Sequence, residues 1–101
     1  MAVFLHDKLD YNSISWRPYA KDGNTGIRNY YYDDDFIWIE VAGGRIYLYT
    51  SEKVGKEYLL AMKSLAEMGK GLSSFISKTN VIKQNFHAAY ALTATGWSRQ
   101  H

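Results

Sequence analysis

Phe36-Ile-Trp-Ile-Glu-Val-Ala-Gly-Gly-Arg-Ile-Tyr-Leu-Tyr-Thr50 is the stretch whose reading decides the fold. Two runs rich in β-branched and aromatic residues flank Gly43-Gly44. Two adjacent glycines can both take the positive φ angles that a two-residue hairpin turn requires. The pattern predicts a hairpin in which Ala42 pairs with Arg45, Val41 with Ile46, Glu40 with Tyr47, Ile39 with Leu48 and Trp38 with Tyr49. Side chains alternate across a strand. This register therefore gathers Ile37, Ile39, Val41, Ile46 and Leu48 on one face, the expected core. Phe36, Trp38, Glu40, Arg45, Tyr47 and Tyr49 fall on the other.

Upstream, Ile27 to Tyr32 predicts a further strand, with Asp33-Asp34-Asp35 as the connecting loop. A loop of that length sets Tyr32 opposite Phe36, Tyr30 opposite Trp38 and Arg28 opposite Glu40. Tyr30, Trp38 and Tyr49 then form one row across three strands, beside a second row of Arg28, Glu40 and Tyr47. Lys21-Asp-Gly-Asn-Thr-Gly26 reads as a loop. Asn12 to Tyr19 reads as a short edge strand, because Pro18 has no N–H to donate to a central one. Met1 to Tyr11 fits a strand or a helical turn equally.

Downstream, Thr50 or Ser51 can cap a helix from about Glu52 to Met68, with Val54, Tyr58, Leu59, Ala61, Met62, Leu65 and Ala66 apolar. Gly55 within it costs about 1 kcal/mol against Ala. Gly69-Lys70-Gly71 stops the helix. A second helix begins near Leu72 with Leu72, Phe75, Ile76 and Thr79 on one stripe. Beyond Asn80, Val81, Ile82, Phe86, Ala89 and Tyr90 fit a helix, while Tyr90 to Thr95 fits a strand as well. Residues 96–101 read as a tail. The expectation is one α+β domain over residues 1–101: an antiparallel meander of three to four strands followed by two to three helices packed on one face.

Length and composition narrow the function classes. A chain of 101 residues supports one modest core. The absence of cysteine excludes disulfides, thiolate metal sites and a cysteine nucleophile, and it fits a reducing, cytoplasmic setting. No apolar run approaches the roughly 18 residues of a spanning helix, and Met1 to Lys8 lacks the basic start and longer apolar segment of a secretion signal. No membrane association is expected. The net charge is +2, but residues 1–52 carry −3 and residues 53–101 carry +5. A basic second half can attract phosphates, and lysines on ordinary solvated helices give the same balance. Nine Tyr, three Trp and four Phe exceed what one small core hides. That surplus predicts a homodimer covering it.

The run Tyr47-Leu-Tyr49 closing a hairpin, then a helix, then Gly69-Lys-Gly-Leu-Ser-Ser-Phe-Ile76, resembles the KTSC domain over roughly residues 27–78. That family takes its name from the C-terminus of some lysyl-tRNA synthetases and includes small stand-alone bacterial proteins. This chain departs from the family pattern in three places. No proline follows Tyr49, Glu67 and Met68 stand where a serine is usual before Gly69, and the intervening helix is a residue or two longer. The family has no established activity, so the resemblance brings with it only a suggestion of RNA binding.

The aromatic and basic face is the expected ligand site, with Tyr30, Trp38, Tyr47 and Tyr49 stacking on bases and Arg45 reaching phosphates. Stacking contributes about 1–3 kcal/mol per base. Glu40 on the same face opposes a phosphate. The alternative is that the N-terminal segment, the C-terminal tail or a second copy covers this face and makes it a second core layer. Lys70 joins the candidates because Gly69-Lys-Gly-Leu-Ser-Ser74 places a lysine and two hydroxyls before a helix N-terminus. Ser64 stands where a Walker loop needs its first glycine, so a plain helix-to-helix turn competes with that reading. Asp33-Asp34-Asp35 can collect a cation or form a solvated hairpin tip, and it lacks the spacing of an EF-hand. His6, His87 and His101 have no ligand spacing. No catalytic set, metal or cofactor is expected. The function that follows is a non-enzymatic binding domain for RNA or a nucleotide-like ligand. The alternative is a small phage or mobile-element interaction protein that docks its aromatic patch on a protein partner or on itself.

Overall fold

The computed structural model describes residues 7–19 and 26–100, and most of the Lys21–Gly26 loop expected above lies outside them. The elements in order are β1 (Lys8–Leu9), a single 3-10 turn (Tyr11–Ser13), β2 (Arg17–Pro18), β3 (Ile27–Asp33), β4 (Phe36–Val41) and β5 (Arg45–Thr50). There follow α1 (Ser51–Val54), α2 (Lys56–Met68), α3 (Leu72–Lys78), α4 (Asn80–Gln84), β6 (Ala88–Thr93) and β7 (Gly96–Gln100). The α+β class with an antiparallel sheet is as expected from the sequence. The sheet is larger than three to four strands: seven strands run in the order β1-β7-β6-β5-β4-β3-β2. The stretch read as a tail is β7, paired along its length with β6.

Two turns differ from the expected ones by one residue, and the consequences spread across the whole sheet. Val41 pairs with Arg45 and Ile37 with Tyr49, so the loop is Ala42-Gly43-Gly44 and has three residues. Gly43 and Gly44 both have positive φ, 90° and 73°. A one-residue slip turns every side chain of one strand to the opposite face. Ile46 and Leu48 therefore do not share a face with Ile37 and Ile39; Tyr47 and Tyr49 do. At the other end Asp33 pairs with Phe36, so only Asp34-Asp35 form the turn. A bulge between Ile27 and Asn29 restores the pairing of Ile27 with Val41.

Both faces are consequently core. On one, Ile27, Tyr30, Ile37, Ile39 and Tyr49 pack with Tyr19 and with Val54, Leu59, Met62, Ala66, Leu72 and Ile82 from the helices. On the other, Trp38, Ile46, Leu48, Ala88 and Tyr90 are covered by Leu9, Tyr11, Ile14 and Trp16. The chain enters at β1 on one edge of the sheet, crosses this second face and reaches β2 on the opposite edge. Both edges are thus closed by two-residue strands, one containing Pro18, which limits edge-to-edge pairing with other chains.

The helices begin and end where local chemistry dictates. Thr50 Oγ1 accepts from the Lys53 N–H at 3.3 Å and caps α1. The single helix expected from Glu52 to Met68 is divided at Gly55, whose φ of 92° and ψ of 149° suit glycine alone. Gly69 ends α2 in the left-handed conformation, its N–H donating to Leu65 and Ala66 carbonyls. The buried Tyr19 hydroxyl accepts from the Leu72 N–H at 3.0 Å, satisfying the first turn of α3. No helix of the described residues is long and apolar enough to cross a membrane.

Candidate functional site

Register decides which of the expected ligand residues meet. The row Tyr30, Trp38, Tyr49 does not exist. Tyr30 pairs with Ile39, Ile39 with Tyr47, Tyr47 with Ala89 and Ala89 with Gln100, all on the helix-bearing side. Trp38 points to the other side, where it lies 5 % exposed with its ring against Tyr90. Tyr30 and Tyr49 are buried on the helix-bearing side, at 3 % and 4 % exposure. Burial, with a smaller contribution from neighbouring Tyr47, drives the Tyr49 phenol well above the ordinary tyrosine range. None of these three rings offers a face to a ligand. Lys70 is exposed on the α2–α3 turn, and the adjacent Leu72 N–H is already taken by Tyr19.

Arg45 and Tyr47, by contrast, come together. The apolar cluster under the helices includes no described side chain of β6 or β7, so the helix-bearing side of these strands is left open. In that gap lies a cleft of about 300 Å³ lined by Arg45, Tyr47, Phe86, Ala89, Ala91 and Gln100, with Tyr90. Its floor is flat because β6 carries alanine at the two positions opposite Tyr47 and Arg45, Ala89 and Ala91. Its wall is aromatic: Phe86, just before β6, meets the Tyr47 ring edge-on at 5.4 Å and 66°. Arg45 is exposed and takes neither a hydrogen bond nor an ion pair from the described residues. It is the one charged side chain among the described residues lining the cleft. Gln100 donates its amide to the Ser98 carbonyl at 3.0 Å, which holds the side chain along the strand and leaves its oxygen as an acceptor.

Glu40, expected to oppose a phosphate here, is on the opposite face. It accepts from the Tyr11 hydroxyl at 2.6 Å and from Asn29 Nδ2 at 2.8 Å. Burial first, then this bond to Glu40, pushes the Tyr11 phenol up to about 12. The Tyr11 ring is stacked between Trp16 at 5.2 Å and Trp97 at 5.6 Å, so Trp97 belongs to the covered face. The three aspartates are also engaged: Asp33 Oδ1 accepts from the Asp34 N–H at 2.9 Å, and the Asp34 and Asp35 carbonyls accept from Lys63 Nζ and the Ser51 N–H at 2.8 and 2.9 Å. Sequence reasoning missed Phe86, Ala89, Ala91 and Gln100, because it fitted Phe86 and Ala89 to a helix, left Tyr90 to Thr95 between helix and strand, and read residues 96–101 as a tail. The signal available was the pair of alanines two residues apart, which as a strand gives one bare face.

Comparison of the chain with protein-family models, with curated proteins and with solved structures gave no match. The likeness to the KTSC domain accordingly rests on the residues quoted for it in Tyr47–Ile76.

Proposed function

We propose that this chain is a non-enzymatic binding domain whose cleft takes a nucleotide-like ligand, the base lying against Phe86 and Tyr47 and the phosphate meeting Arg45. The observation that carries the reading is Arg45 itself, an exposed guanidinium with no partner among the described residues, at an aromatic-walled cleft with no carboxylate among its described lining residues. A guanidinium forms paired, charge-assisted hydrogen bonds to phosphate oxygens. An aromatic wall tolerates any base, since every base has a π-face. The alanine floor leaves room for a flat ring, and the Gln100 oxygen can accept from an exocyclic amine. A cytoplasmic location suits such a ligand and a chain with no cysteine.

Calorimetric titration with nucleoside monophosphates and short RNA at low and high salt tests this. Phe86→Ala should weaken binding at every salt concentration by about 1–3 kcal/mol. Arg45→Ala should weaken it chiefly at low salt and flatten the salt dependence. Failure of all these ligands to bind tighter than millimolar, or binding indifferent to both variants, overturns the reading.

Leu60 and Met68, 62 % and 61 % exposed on α2, favour a second reading in which the helical surface docks on a protein partner or a second copy. The aromatic surplus no longer argues for a dimer, since Tyr58 and Phe86 are the only exposed aromatic rings among the described residues. Sedimentation across a concentration series, with Leu60→Lys as the disrupting variant, separates the two readings.

A further inference from the structure

The cleft continues into a row that ends in a second cation. Arg45 pairs with Ala91, Ala91 with Ser98 and Ser98 with Lys8, so these four residues lie side by side on β5, β6, β7 and β1. Lys8 Nζ donates to Thr95 Oγ1 at 2.7 Å and to Ser98 Oγ at 2.8 Å, with the Thr95 carbonyl at 3.5 Å. Its partners among the described residues are all neutral, and no carboxylate of those residues lies within ion-pair distance of it. Asp7, its neighbour along the chain, falls on the opposite face by the alternation of a strand.

The hydroxyls around Lys8 have a forced polarity. Thr95 Oγ1 and Ser98 Oγ each accept from the ammonium, so each must send its own proton elsewhere. Thr93 Oγ1 gives its proton to the Gly96 carbonyl at 2.8 Å and accepts from the Thr95 N–H at 3.3 Å, so it has one lone pair left for either Thr95 Oγ1 at 3.2 Å or Ser98 Oγ at 3.4 Å. Taking one of those protons leaves the other directed outward. A positive charge and an outward O–H donor side by side make an anion subsite.

We infer that Lys8, Thr95 and Ser98 bind a second phosphate of the ligand held at Arg45, so that the ligand is a short single-stranded oligonucleotide laid across β6 and β7. This rests on the reading of the cleft given above. Three inter-strand steps of about 4.8 Å separate the ends of the row by about 14 Å. That distance is about four stacked nucleotides at roughly 3.4 Å each, and fewer in a stretched strand. Ala91 and Ser98 between the cations are short enough for a backbone to pass over them.

Isothermal titration with uridine 5′-monophosphate and with the di-, tetra- and hexanucleotides of uridine tests the inference on the full chain. Affinity should rise about tenfold or more from the monophosphate to the tetranucleotide and level off thereafter. Lys8→Gln should abolish that gain, leave the monophosphate unchanged and lower the salt slope for the tetranucleotide by about one ion. Lys8→Arg should keep the gain, and a matching thermal melt shows that any loss is not unfolding. Binding of the monophosphate with no gain on lengthening, or equal losses for both ligands in Lys8→Gln, overturns the second subsite while leaving the cleft intact. Absence of binding by every ligand overturns the cleft reading and this inference together.

Discussion

On one face of the sheet Tyr30, Ile37, Ile39 and Tyr49 meet side chains from four helices; on the other Trp38, Ile46, Leu48 and Tyr90 meet a single crossing of the N-terminal segment. The helical cover has internal hydrogen bonds of its own. The crossing segment has one 3-10 turn and a few local bonds, among them Trp16 Nε1 to the Tyr11 carbonyl at 3.0 Å, and it is held by a two-residue strand at each end and by Tyr11 on Glu40 in the middle. Burial of both faces therefore does not mean equal resistance to opening. Regions with few internal hydrogen bonds open at lower free energy, so the second face is expected to open before the first.

The largest test of this two-faced core is Leu48→Asp, which buries an unpaired carboxylate where the side chain is 0 % exposed. The cost is several kcal/mol, comparable to the stability of a small domain, and circular dichroism should show an unfolded chain. Next comes Tyr49→Ala, one residue along and on the opposite face. It should cost about 3–5 kcal/mol in urea denaturation. A parental melt for Tyr49→Ala would mean that only one face of β5 is core and would restore the two-residue glycine turn.

Gly55→Ala acts on the helical cover alone. No neighbour obstructs the added methyl, but the backbone there is one that side-chain-bearing residues avoid, so a loss of about 1–3 kcal/mol should appear in thermal melts. Tyr11→Phe removes the bond to Glu40 and should cost about 1–1.5 kcal/mol. Amide exchange should quicken at Trp16 and Arg99 and stay parental at Leu59 and Met62; uniform quickening would show that the two faces open as one.

The smallest effect concerns pH. His87 is half-buried just before β6, and its pKa is lowered, first by burial and then by the Lys53 and Arg99 cations, with Glu52 opposing. Its folded pKa lies below the ordinary histidine value near 6.5, so the unfolded chain takes the proton first as pH falls. Stability should be level above about pH 6.5 and decline as pH drops toward the lowered folded value. His87→Gln should flatten that decline in melts recorded across the range.

The hairpin, the helix capped by Thr50 and the stop at Gly69 were legible because each rests on local chemistry. The register was not. In Arg45-Ile-Tyr-Leu-Tyr-Thr50 both alternating sets are apolar, and glycine at positions 43 and 44 serves a two- or a three-residue loop equally well. Alternation assigns a register only when one face is wet, and here neither is along most of β4 and β5. The Asp34-Asp35 turn was hidden for a related reason: it has two residues, yet neither adopts the positive φ by which such turns are recognised. Of the expected ligand residues, Arg45 and Tyr47 share the cleft because they lie two apart on β5, on the side that pairs with the alanines of β6.

The pairing of β1 with β7 joins residues 8–9 to residues 97–98, so strands near opposite ends of the chain are neighbours in the sheet. During synthesis β1 emerges early and finds its partner only when β7 has left the ribosome. The helices and the β3–β4–β5 meander can form before that, but Trp38, Ile46 and Leu48 stay open to water until the last strand arrives. Such long-range pairing slows folding, toward the millisecond-to-second regime of sheet-rich domains. The nascent chain would spend that interval with an apolar sheet face exposed, the state in which a chaperone has most to hold.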